Sequence, residues 1–139
     1  MSFDEKNWWV YAALALIVPA IYFATVMGQV QGMPVTEIEY QRPLLTAIGA
    51  AIGLSIVASI AIAVASPRGV AKTDQRDRDI NRLGEHVGGL FLGVAMVLPF
   101  ALAMLEFDHF WIANAMYLAF TLSALVGSVV KLIVYRRGF

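Results

Sequence analysis

The sequence predicts an all-α integral membrane protein, a four-helix bundle, and three observations carry that expectation. Of 139 residues 60% are hydrophobic and only 14% charged, whereas a soluble domain carries about 25% charged residues. The apolar residues gather into four runs, each near the roughly 20 residues a helix needs to cross a hydrocarbon core. Between the second and third runs lies one long polar passage, Lys72 to His86, KTDQRDRDINRLGEH, and the side of the membrane it occupies orients the rest. The expectation is a single membrane domain over 1–139.

The first span runs over 8–27. Trp8, Trp9 and Tyr11 suit the interface at its start, and Pro19 is tolerable with a kink because neighbouring groups satisfy the freed carbonyl. A signal peptide is not expected, since acidic SFDEKN precedes an apolar run too long for a signal core. The turn-rich loop from Gly28 to Arg42, with Gly32 and Pro34 as breakers, leads to a second span over 44–65, where Pro43 fits the first helical turn. The third span covers 87–105, interrupted by Pro99. EFDH, Glu106 to His109, makes a tight turn, and the fourth span covers 111–134 before the basic tail Arg136-Arg137.

Within the polar passage, Ile80, Leu83 and Val87 recur at helical spacing and run directly into the third span. An amphipathic helix over 74–86 is therefore expected to continue into the membrane. Asp74 is its N-cap candidate, and Asp74 with Arg78 and Asp79 with Arg82 stand at ion-pair spacing. Nine Lys and Arg residues fall on one face of this topology, and Arg42 alone falls on the other. The nine belong in the cytoplasm, which places both termini and the polar helix there.

Leu54, Ser55 and Arg68 match Leu122, Ser123 and Arg136 without a gap, and Pro19 echoes Pro99. Two tandem helical hairpins would produce this, as would chance self-similarity of apolar sequence. Gly49 and Gly53, Gly84 and Gly88, Gly89 and Gly93, and Ala115 through Ser123 to Gly127 repeat at four-residue spacing, which lets helix backbones approach closely. Packing within one bundle is the plain expectation for these faces, and a homodimer seam is the alternative. Lys131, the deepest charge, is expected to snorkel to the phosphate region, with a salt bridge to Glu85 as the sharper alternative.

The chemistry is mostly bounded by what is missing. No ionisable residue stands near the middle of a span, as ion-coupled transport requires. Cysteine is absent, so thiol and disulfide chemistry are excluded. His86 and His109 fall at opposite faces and do not suit a haem pair. No Ser/His/Asp arrangement, HExxH motif or phosphate loop is present, so the chain is not expected to be an enzyme or to bind a cofactor. Zero net charge gives no field for direct nucleic-acid binding. Glu106, Asp108 and His109, with Glu37 and Glu39, are the candidates for a divalent-cation site, but EFDH lacks metal-motif spacing and solvated turn residues are the simpler reading.

The stretch DQRDRDINRLGEHVGG from Asp74, with DHFWIANAMYLAF from Asp108, resembles a group of small uncharacterised bacterial membrane proteins of actinobacterial type, over nearly the whole chain. Members are often encoded beside helix-turn-helix regulators. The resemblance implies a bacterial inner-membrane location and a cytoplasmic regulatory partner, and it carries no site residues. The leading expectation is a non-enzymatic accessory or regulatory protein whose loop helix, through Arg76, Arg78, Arg82, Asp77 and Asp79, docks that partner. A solvated connector whose arginines touch anionic lipid is the simpler reading of the helix. The alternative function is a small transporter or lipid- or amphiphile-binding protein with a cavity lined by Pro19, Tyr22, Pro99, Asn114 and Ser123.

Overall fold

The computed structural model describes residues 1–70 and 74–138. Lys72, which opens the polar passage, and Phe139 in the tail lie outside the described residues. The elements are α1 (Phe3–Met27), a single 3₁₀ turn (Val35–Glu37), α2 (Gln41–Ala65), the short α3 (Pro67–Val70), α4 (Gln75–Ala95), α5 (Val97–Met104) and α6 (His109–Arg137), with no strand among the described residues. Four helical stretches, Phe3–Met27, Gln41–Ala65, Gln75–Met104 and His109–Arg137, are long and apolar enough to cross a membrane.

Helix starts and interruptions follow from local chemistry. The Ser2 hydroxyl accepts from the Glu5 backbone N–H at 3.1 Å, and Asp4 and Glu5 in the first turn of α1 favour its positive end. α1 therefore begins before the apolar run does. Pro19 is buried inside α1 without ending it. Pro99 acts differently: it has no N–H for the Ala95 carbonyl, and the third span breaks at Met96 into α4 and α5. α5 then closes with Phe107 N–H donating to the Leu102 carbonyl and Glu106 N–H to the Ala103 carbonyl, at 3.0 and 3.1 Å. This is a Schellman closure, and it holds Glu106 at φ 57°, the left-handed region that glycine normally occupies.

α6 is the hub. It packs against α4 and α5 on one side and α1 on the other, while α2 packs mainly on α1. Neighbour relations run α2, α1, α6, α4, so the bundle is open between α2 and α4, and α2 has no buried residue. Two hairpins are present, α1 with α2 and α4–α5 with α6, but their corresponding helices have different jobs. Ser123 of α6 donates to the Gly88 carbonyl across the α4 interface at 2.8 Å, whereas its sequence counterpart Ser55 in α2 donates to its own helix at Ile52.

The glycine stripes separate in the same way. Gly88 and Gly127 meet at the α4–α6 crossing, where a Cβ on Gly127 would stand 3.0 Å from the Gly84 carbonyl oxygen and one on Gly88 would stand 3.2 Å from the Ser123 carbonyl oxygen. Gly49, Gly53 and Gly93, expected at helix interfaces, have open space where a Cβ would lie. Their spacing fits a close crossing, but among the described residues no helix comes against them.

Candidate functional site

The terminus-bearing end of the bundle joins the start of α1, the polar start of α4 and the last turns of α6. α4 is well begun: the Asp74 carboxylate accepts from Gln75 N–H at 2.6 Å, and the Asp77 carboxylate reaches back to Asp74 N–H at 3.1 Å. Ile80 is fully buried on the inner face. Tyr135 Oη of α6 donates to Asp77 Oδ1 at 2.7 Å, and Lys131 Nζ donates to Asn81 Oδ1 at 2.6 Å. One apolar anchor and two polar ties thus fix the polar helix to α6, so that α4 runs from 75 into the apolar region without a hinge.

Arg76, Arg78, Asp79 and Arg82 of this helix are all exposed, Arg78, Asp79 and Arg82 on the side away from α6, while Asp77 is half-buried and bonded to Tyr135. The expected pairs of Asp74 with Arg78 and Asp79 with Arg82 do not form: the only salt bridge among the described residues is Arg42 with Glu39, at 3.3 Å, in the opposite loop. Asp74 and Asp77 serve the helix start instead, and among the described residues no carboxylate lies within ion-pair distance of Arg76, Arg78 or Arg82.

Lys131 departs from both expectations made for it. It neither snorkels into the open nor pairs with Glu85, but is 4% exposed, with its ammonium 3.4 Å from the centroid of the Trp8 ring and bonded to Asn81. Its stem crosses the surface of Gly84 so closely that a Cβ there would overlap it. Asn81 and Trp8 were not legible as its surroundings, because sequence spacing places residues on one helix and says nothing of which helices cross at that level. Arg136 stacks on Trp9 beside it, 5.4 Å from the ring centroid.

A groove of about 1020 Å³ opens from this end along the bundle, between α1 and α2 on one side and α4 and α6 on the other. Pro19 and Ser123, both expected in a cavity, line it. Tyr22, Asn114 and Pro99 do not. Tyr22 and Asn114 are buried at the loop end, where Tyr22 Oη donates to Asn114 Oδ1 at 2.6 Å and Asn114 Nδ2 donates to the Phe110 carbonyl at 2.7 Å. Each polar group there serves the other, and Pro99 is buried in α5.

The loop end also holds the candidate cation residues. Glu37, Glu39, Asp108 and His109 border a second cavity of about 500 Å³, which Glu106 does not reach. Among the described residues no three His, Asp or Glu side chains gather as metal ligands, because the turn at Glu106 and the 3₁₀ turn at Val35–Glu37 spread the carboxylates over separate loops. Comparison with protein-family models, with curated proteins and with solved structures finds no match to this chain.

Proposed function

We propose that the chain is a non-enzymatic accessory or regulatory protein of the bacterial cytoplasmic membrane, whose polar helix over 75–86 docks a cytoplasmic protein. The supporting observation is the exposure of Arg76, Arg78 and Arg82, none of which has an ion-pair partner among the described residues, on a helix anchored through Ile80, Asp77 and Asn81. A helix held in one place presents its charges in one geometry, so a partner with complementary carboxylates loses little freedom of this surface on binding. The excess of Lys and Arg at this end supports its cytoplasmic assignment.

The test is purification of the tagged protein in mild detergent from its own host, followed by identification of stoichiometric companions. Changing Arg76, Arg78 and Arg82 together to Gln is expected to abolish co-purification of the partner while membrane insertion is retained. A companion that stays bound to the triple variant rejects the reading.

A further inference from the structure

Lys131 presents an unfinished charge arrangement. Ions inside folded proteins are normally kept there by a counter-ion, yet no carboxylate comes within ion-pair distance of this one among the described residues. Its two neighbours, the Asn81 amide and the Trp8 ring, are both neutral. Asn81 occupies one of the three N–H donors of the ammonium. Glu85 borders the same groove but is exposed to solvent. A second unfilled group stands on α1: the Asn7 side-chain oxygen is buried with no hydrogen-bond partner, one turn before Tyr11, which lines the groove.

The groove that begins at Lys131 continues past Ser128, Ala124 and Phe120 to Ala113 on α6, a helical rise of about 27 Å at about 1.5 Å per residue. Its volume stands at the upper end of the roughly 300–1,000 Å³ typical of ligand sites. An elongated apolar channel with a buried cation at one end is complementary to a molecule with a long tail and an anionic head. We propose that this groove binds an acyl lipid with an anionic phosphate headgroup, its phosphate on the Lys131 ammonium and its chain lying along α6. The site is distinct from the arginine face of α4, which points outward, and does not depend on the docking role.

The test uses the full chain, stripped of lipid in a nonionic detergent, with dioleoyl phosphatidylglycerol as the probe and dioleoylglycerol, which has the same tails without phosphate, as the control. Phosphatidylglycerol is expected to raise the unfolding temperature and to remain bound at one molecule per chain in native mass spectrometry; dioleoylglycerol and inorganic phosphate alone are expected to do neither. Lys131→Gln should weaken binding by at least about tenfold. Ala124→Phe, which fills the groove and leaves Lys131 in place, should weaken it comparably, so the proposal remains testable if the lysine variant does not fold. The Arg76, Arg78 and Arg82 triple change to Gln should leave lipid binding intact.

Equal stabilisation by dioleoylglycerol, undiminished binding in Ala124→Phe, or loss of binding in the triple arginine variant would each overturn the proposal. So would a lipid-free dimer that Ala124→Phe dissociates, because a second copy would then occupy the groove.

Discussion

At the loop end, Tyr22, Val26, Ile38, Phe110 and Tyr117 close on one another, Tyr22 and Tyr117 meet edge to face at 5.2 Å, and the one buried polar pair, Tyr22 with Asn114, is satisfied. At the terminus end the contacts join polar groups to charged ones: Tyr135 to Asp77, Asn81 to Lys131, Trp8 to Lys131 and Trp9 to Arg136. The first end is complete in itself. Among the described residues, the second leaves a buried cation with no carboxylate within ion-pair distance and three surface arginines with none either. Stability can be assigned to the first end from its own contacts, whereas the second keeps charged groups without ion pairs among the described residues, and both proposals above rest on it.

Four substitutions, in descending order of expected effect, and one control test this contrast. Gly127→Leu drives a side chain into the Gly84 carbonyl and is expected to lower stability by about 1–3 kcal/mol, as overpacking does; Gly53→Leu, with open space before it, should leave reversible unfolding in detergent unchanged. If both cost the same, α2 has an interface that its exposure conceals. Asn114→Ala strands the Tyr22 hydroxyl in the completed end and should cost about 1–2 kcal/mol by the same measurement. The loss should be global, because that end has no separate part to release.

Tyr135→Phe removes one tie of the unfinished end and is expected to cost about 0.6 kcal/mol, the average for a hydrogen bond between membrane helices. Here the effect should be local, read as faster amide exchange over 75–83 with the remainder of α4 unchanged. Uniform acceleration throughout the chain would show that the polar helix is part of the core. Smallest of all, Glu106→Gly relieves a left-handed residue that costs about 1 kcal/mol or more. It also adds chain entropy to the unfolded state, so a net gain of about 0.5 kcal/mol is expected in the same unfolding titration.

The four spans, and the continuation of the 75–86 helix into the third, were legible because hydropathy and helical spacing are properties of single segments. What was not legible depends on which segments meet. In lipid a residue is apolar whether it faces a neighbour or an acyl chain, so Gly49 and Gly53 on the outside of α2 look the same in sequence as Gly84 and Gly88 at the α4–α6 crossing. Asn114 read as cavity lining because a polar residue in a span has two uses, and only its distance to Tyr22 distinguishes them. Lys131 was recognised as deep; that Asn81 would hold it, rather than Glu85 one turn further along the same helix, depends on the crossing made possible by Gly84, Gly88 and Gly127.

The central place of α6 has a consequence in time. α1, α4 and α5 lean on the last of the four spans to be synthesised, and α2 is attached mainly through α1. Without α6 the other spans amount to an α1–α2 hairpin and a separate α4–α5 segment, lacking the aromatic cluster and the seat for Lys131. Assembly therefore waits for α6 and then joins both halves at once, and a released chain truncated before His109 should show no protection of α4 from protease or exchange beyond that of the separate helix.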